Sequence, residues 1–249
     1  MKLEAISKHF GDEAVLIDIS MEVPSGSFTA FIGPNGAGKS SLINIMSRLL
    51  PKESGYLWIK GQEIEAWDHK ALARELSLLK QSQHYHTRLR VEELVSFGRF
   101  PYSGNRLTEE DQTKIQEAIA YMGLEGFKDR YIHTLSGGQL QRVYIAMVLA
   151  QDTDIILLDE PLNNLDMKQS IAMMTILRKL VDDLGKTVVI VIHDINIASR
   201  YVYHMVAFKD GQVFESGPTA TVMTKSVLDK LYDMSVRIVD IDGKQHCIY

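Results

Sequence analysis

One cysteine in 249 residues, Cys247, can close no internal disulfide. The chain is therefore no disulfide-stapled secreted scaffold, and its thiol content fits a reducing compartment. Long apolar runs are missing as well: TVVIVI at 187–192 has the length of a strand and falls far short of the roughly 20 residues that a spanning helix needs. The N-terminal MKLEAISKHFG has no basic segment followed by an apolar stretch of about 7–15 residues, so no secretory signal is expected. Excess positive charge is lacking too. With 27 Lys and Arg against 32 Asp and Glu, a formal net charge of −5, nucleic acid is not expected as a partner. Neither an internal repeat nor a low-complexity tract is found. What remains, at 45% apolar and 24% charged, is a globular chain able to bury a sizeable core, as one large domain or a domain with an insert.

The hydrophobic pattern sets out the elements. In VLIDISMEV (15–23), Val15, Ile17, Ile19, Met21 and Val23 fall on one side of a period of two, a half-buried strand. SFTAFI (27–32) is a second strand, and a helix is expected from 39 to about 50, stopped by Pro51 and Gly55. Strands at 56–60 and 76–80 flank a short helix near 69–75. From about 84 to 150 the strand signal stops and helical periodicity takes over at 91–99, 108–122 and 138–151, which reads as a helical insert. DIILLD (154–159) and KTVVIVI (186–192), separated by a helix over 167–184, form a βαβ unit whose strands must run parallel. A hairpin around KDGQ (209–212), a small helix and two short strands complete the pattern.

Three stretches carry chemistry. GPNGAGKSS (33–41) satisfies G-x-x-x-x-G-K-[ST] through Gly33, Gly38, Lys39 and Ser40, between a strand and a helix. Its glycines reach backbone angles other residues avoid, and successive amides converge on an anion at the positive end of the following helix. Lys39 supplies charge for β and γ phosphates, and Ser40 a hydroxyl for Mg²⁺. IILLDEP (155–161) ends an apolar strand in Asp159 and Glu160, at the edge where open α/β sheets bind ligands. Asp159 fits a metal site and Glu160 a general base. In HTLSGGQLQRVYIAMVLAQ (133–151), Ser136, Gly137 and Gly138 open a helix. They present either a second anion-binding helix start or a plain N-cap.

LSGGQ, placed after the phosphate loop and just before the acid pair, resembles the signature of the ATP-binding cassette ATPases, and the resemblance covers nearly the whole chain. It implies an α/β fold of the P-loop NTPase type, with a mostly parallel core sheet, an antiparallel β subdomain and an inserted α-helical subdomain. The whole chain would be one ATPase domain: core about 1–83 and 151–217, helical part about 84–150, and a short extension at 218–249. ATP and Mg²⁺ are the implied cofactors. The phosphate loop, with Pro34, Asn35, Gly36, Ala37 and Ser41 beside the residues above, would hold ATP. Phe10 stands where the family stacks an aromatic on adenine, the alternative being a core phenylalanine. Gln81 matches the glutamine that senses the γ-phosphate through Mg²⁺ and the attacking water, with Gln83 competing for that assignment. His193 matches the histidine that holds the γ-phosphate. Asp166, ending NNLD, matches the aspartate that crosses to a partner subunit. Ser41 replaces a frequent threonine and keeps a hydroxyl. Leu140 replaces a frequent arginine and leaves Ser136, Gly137, Gly138 and Gln139 in place.

The resemblance further implies a homodimer in which Ser136, Gly137, Gly138, Gln139 and Asp166 of one copy close over ATP held by the other. Motion of that dimer would pass to two integral membrane permease subunits, docked on the helical insert and the segment after residue 81, at the cytoplasmic face of the membrane. A substrate-binding lipoprotein or periplasmic protein would take part indirectly. VEELVSFGRFPY (91–102), with DEPLNNLD, is most similar to cassettes powering bacterial uptake of ferric siderophores, related to those for haem and vitamin B12. Another importer or an exporter is the alternative, ahead of a nucleic-acid-associated cassette.

Overall fold

The computed structural model describes residues 1–80, 88–104, 106–163 and 165–249. It opens with β1 (Lys2–Phe10), β2 (Glu13–Glu22), β3 (Phe28–Ile32), α1 (Lys39–Met46), β4 (Ser54–Ile59), β5 (Gln62–Glu63), α2 (His69–Glu75) and β6 (Leu76–Leu79). The helical insert follows: α3 (Val91–Ser96), α4 (Phe100–Ser103), α5 (Glu109–Tyr121) and α6 (Gly137–Ala150). Then come β7 (Ile155–Asp159), α7 (Met167–Asp182), β8 (Thr187–Val191), α8 (Ile195–Tyr201), β9 (His204–Lys209) and β10 (Gln212–Pro218). The last elements are α9 (Thr219–Val222), α10 (Lys225–Tyr232), β11 (Arg237–Ile241) and β12 (Lys244–Ile248).

Two sheets enclose α1. One is antiparallel, in the order β2-β1-β4-β5. The other runs β10-β9-β3-β8-β7-β6, parallel except for the β9–β10 hairpin. Leu42, Ile43 and Met46 of α1 share a core with Leu3, Ile6 and Ile19 on one side and Phe31, Leu157 and Val189 on the other. The second face of the parallel sheet packs on α6, α7 and α8 through Ile156, Val188 and Ile190. Every residue of β3, β7 and β8 is buried, which is why these strands read as largely apolar runs without a polar face. Each buried Val, Leu or Ile contributes about 1.5–3 kcal/mol.

The alternation expected over 15–23 holds only in part. Ile19, Met21 and Val23 are buried, but Leu16 takes the inward place and Ile17 is exposed. The cause is a bulge: the register moves between Ile6↔Ile19 and Lys8↔Leu16, with Asp18 at φ 52°. One extra residue reverses the facing of every side chain before it. The helix expected to reach about residue 50 stops at Met46. Arg48 turns the chain at φ 59°, and its guanidinium donates to the carbonyls of Ile64 and Trp67 at 3.1 and 2.6 Å. Near the C-terminus two short helices, α9 and α10, replace the single one expected. Over 91–99 the helix ends at Ser96 and a 3₁₀ turn takes Phe97–Arg99.

The insert is tied together by charge. Arg99 Nε donates to Asp111 Oδ1 at 2.7 Å with both side chains buried. Its Nη1 donates to Ala150 O at 2.9 Å, and its guanidinium lies 3.8 Å from the Tyr102 ring centre. Asp111 also closes the capping box of α5 with Thr108. Burial alone would push the Asp111 carboxyl up; the bonds from Thr108 and Arg99 outweigh it and hold the group at about 2. Arg99→Met, which leaves Asp111 buried without its ionic partner, should lower the unfolding free energy at pH 7 by about 3 kcal/mol in urea denaturation. A carboxyl held below its unfolded value stabilises above that value and stops doing so as pH falls through the folded one. The gap between wild type and variant should therefore narrow between about pH 4 and pH 2.

Candidate active site

The phosphate loop leaves β3 under constraint from both sheets. Gly33 has φ 134°, and a Cβ there would lie 2.1 Å from the carbonyl oxygen of Phe208 in β9. Gly38, the N-cap of α1, has φ 91°, and a Cβ would meet Leu16 Cδ2 at 2.6 Å and Val15 O at 2.7 Å. The bulge in β2 thus brings Leu16 against the base of the loop. No side chain caps α1, so the amides of its first turn face the loop interior, as anion binding requires. Lys39 is buried, its ammonium donating to Gly33 O at 2.8 Å and Pro34 O at 2.7 Å. Burial pushes that ammonium below the ordinary lysine range, while Glu160 and Asp159 act the other way.

Opposite the loop stands the end of β7. Ser40 Oγ donates to Asp159 Oδ1 at 2.8 Å. Burial pushes the Asp159 carboxyl up; the Ser40 bond opposes the rise and nearby Glu160 adds to it. The pair offers hard oxygen donors at one point, the chemistry Mg²⁺ takes. Among the described residues no cluster of three or more His, Cys, Asp or Glu could hold a metal ion. Mg²⁺ needs none, since it is commonly held by one or two protein oxygens, phosphates and water. Glu160 sits at φ 50°, an unusual angle for a residue with a side chain. His193 Nε2 lies 2.8 Å from Glu160 Oε1, and Asn163 Nδ2 donates to Glu160 Oε2 at 2.5 Å. Glu160, Asn163 and His193 line one cavity of about 300 Å³ with Leu165, Ile192 and Ile197.

Lys39, Ser40, Asp159, Glu160 and His193 are therefore brought to one edge of the parallel sheet. Phe10, at the end of β1, is 50% exposed with the Lys8 ammonium 5.7 Å from its ring centre, so it is no core phenylalanine. Ser136 caps α6 and forms a capping box with Gln139: the Ser136 amide donates to Gln139 Oε1 at 3.0 Å and the Gln139 amide to Ser136 Oγ at 3.3 Å. Gly138 is buried beside the Gln169 side chain of α7. Asp166 is exposed and caps α7 by accepting from the Gln169 amide at 2.7 Å. The capping roles of Ser136 and Asp166 leave both residues on the surface. Gln81 and Gln83 lie outside the described residues.

Two residues at the site were not assigned from sequence. Asn163 is one; its signal was its place three residues after Glu160, a spacing that allows a turn to fold its amide back. Tyr232 is the other. Its phenol lies against the Gly33 backbone, and burial pushes it up to about 12. Nothing in the sequence around Tyr232 marks it, because the contact joins α10 to a loop near the opposite end of the chain.

Gly33 and Gly36 separate strain from collision, since Gly36 has φ 80° but nothing within 4 Å of a built Cβ. Gly36→Ala should cost about 1 kcal/mol of unfolding free energy, from the backbone angle alone. Gly33→Ala should cost about 3 kcal/mol or more, because Phe208 must also move; urea denaturation of the two variants measures both.

Comparison with known proteins accounts for this arrangement. The family model described as ABC transporter matches residues 16–163. The petrobactin import ATP-binding protein YclP of Bacillus subtilis (strain 168) is 53% identical over the whole of this chain and 99% of its own. The petrobactin import ATP-binding protein FatE of Bacillus anthracis is 41% identical over 96% of each chain. Among solved structures, the dimeric structure of MJ0796, described as a bacterial ABC transporter cassette, is 32% identical. It superposes with a TM-score of 0.78 over 88% of this chain and 98% of that one. With the phosphate loop, the acid pair and the histidine already gathered at one sheet edge, the chain belongs to the ABC transporter family, as one of its ATP-hydrolysing subunits.

Proposed function

We propose that this ATPase powers bacterial uptake of ferric siderophores, petrobactin first among them. The observation that carries the cargo is the identity, spread over the full chain, to two relatives named for petrobactin import. The observation that carries the chemistry is the paired geometry of Ser40 with Asp159 and of Glu160 with His193.

In this reading the loop amides of residues 33–41 and the Lys39 ammonium hold the phosphates, and Lys39 exchanges the carbonyls of Gly33 and Pro34 for phosphate oxygens. Pro34, Asn35, Gly36, Ala37 and Ser41 shape the remainder of that cradle. Phe10 stacks on the adenine. Ser40 and Asp159, with Gln81, hold Mg²⁺, which supplies charge neutralisation of the phosphates when bound. Glu160 takes the proton of the attacking water, and His193 fixes the γ-phosphate while orienting the Glu160 carboxylate. A second copy contributes Ser136, Gly137, Gly138, Gln139 and Asp166 across the interface. The closed dimer would therefore hold two ATP molecules, each between the phosphate loop of one copy and Ser136 of the other. The exposed Ser136 and Asp166 suit that role.

Two membrane permease subunits would receive the motion at the cytoplasmic face, with a binding lipoprotein or periplasmic protein delivering cargo from outside. No helix among the described residues is long and apolar enough to cross a membrane. A groove of about 420 Å³ supports the docking site: Leu49, His69, Leu72, Leu78 and Met147 line it. It runs between the core and the helical insert, where β6 leads toward residue 81, and has the apolar floor that a short amphipathic helix requires.

Glu160→Gln should lower steady-state ATP turnover by about 100-fold or more while ATP still binds, leaving an ATP-bound dimer visible by light scattering. Sustained turnover would sink the base assignment. The cargo is tested by uptake of radiolabelled ferric petrobactin, and of a hydroxamate complex in parallel, into cells carrying the wild-type chain or Lys39→Ala as their only copy. Loss of petrobactin uptake with hydroxamate uptake intact is expected. If both persist although the variant's ATPase is dead, iron is not the cargo, and haem and cobalamin are tested next.

A further inference from the structure

We propose that Asn163 is a positioning residue for the Glu160 carboxylate and acts through it on hydrolysis; this rests on the reading of Glu160 as the base. The geometry has three parts. The Asn163 side-chain amide donates to Glu160 Oε2 at 2.5 Å, while His193 Nε2 lies 2.8 Å from Oε1. Both oxygens of one carboxylate are thus gripped from opposite sides, which fixes the plane of the group. The Asn163 backbone amide also donates to Glu160 O at 3.3 Å, closing a turn over Glu160, Pro161, Leu162 and Asn163. The turn follows directly on Glu160, whose own φ of 50° is an angle kept only where surrounding structure over-determines it. Finally, Asn163 itself is placed by its neighbours: Leu162 and Leu165 pack on the core on either side, and the Leu165 amide donates to Leu162 O at 3.1 Å.

Asparagine suits this place chemically. A carboxylate presents about four lone-pair sites, so a single bond from the Asn163 amide orients the group without exhausting it. A neutral amide orients the group without the positive charge that would weaken it as a base. An aspartate of the same size would instead repel it. A base must also sit within hydrogen-bond reach of the proton it takes, and a displacement of about 1 Å can cost about 100-fold in rate.

The test is a set of variants assayed for kcat, for ATP affinity with a fluorescent nucleotide, and for melting temperature. Asn163→Ala should lower kcat by about 10- to 100-fold, with ATP affinity and melting temperature unchanged because the side chain is exposed. Asn163→Asp should be slower still, and Asn163→Gln, which keeps an amide donor, faster than Asn163→Asp. Adding Asn163→Ala to Glu160→Gln should slow the residual turnover no further, since the amide then has no base to orient. An unchanged kcat in Asn163→Ala, with Glu160→Gln inactive, overturns the positioning role and leaves the base in place. An additional drop in the double variant also overturns it, because the amide would then act without the carboxylate. Sustained turnover by Glu160→Gln removes the base and the Asn163 proposal together.

Discussion

β7, β8 and β3 lie parallel and side by side, and the placing of the phosphate loop, Asp159, Glu160 and His193 at one edge follows from their register. Phe31 pairs with Val191, and Val191 pairs with Asp159, so one row crosses three strands at the sheet's C-terminal edge. The next residues along those strands are Ile32, Ile192 and Glu160, with Gly33 of the phosphate loop and His193 one step further on. Neighbouring parallel strands stand about 4.8 Å apart, so the row spans about 10 Å and its chemistry falls within reach of one triphosphate. A slip of one residue would send Asp159 to the opposite face of the sheet. Burial of all five residues in each strand makes that slip expensive, since it would carry the apolar set with it.

The site's charges are held differently from the chain's structural ones. Arg99 and Asp111 are buried together, and the bonds around Asp111 keep its carboxyl at about 2, an electrostatic demand that is fully met. Lys39 and Asp159 are also buried, yet burial drives each toward its neutral form, and their protein partners offset only part of that. Groups perturbed in this way cluster where a ligand completes the compensation. A polyanion with a divalent cation supplies both missing signs at once: negative charge for the ammonium and positive charge for the carboxylate.

Much of this was legible in the chain. The phosphate loop announces itself because Gly33 and Gly38 are demanded by close approaches to Phe208 and Leu16, and Gly36 by its backbone angle. The parallel strands announce themselves because burial on both faces leaves mostly apolar residues, with Thr29, Asp159 and Thr187 the polar ones in β3, β7 and β8. Asp159, Glu160 and His193 were readable as polar residues ending such strands. What could not be read depends on distant partners. Ile17 faces outward because of a bulge set by the pairing with β1, and α1 stops early because Arg48 finds carbonyls beyond the next strand. Tyr232 reaches Gly33 from α10 with no local pattern to betray it. Asn163 lay in plain view inside a recognised motif, but its bond to Glu160 exists only once the turn has closed.

The buried Arg99 has a mechanical consequence. Its guanidinium joins the cap of α5, through Asp111, to the last residue of α6, through Ala150 O, and Tyr102 covers it. These bonds brace the insert across its width, so that it resists shear and bending among its own helices. α6 runs unbroken from Gly137, next to its cap Ser136, to Ala150, the residue Arg99 holds. A push on the exposed rings of Phe97 and Phe100, on either side of Arg99, would therefore travel along a strut of low compliance and arrive at Ser136 as displacement, with little of its work lost to deformation on the way.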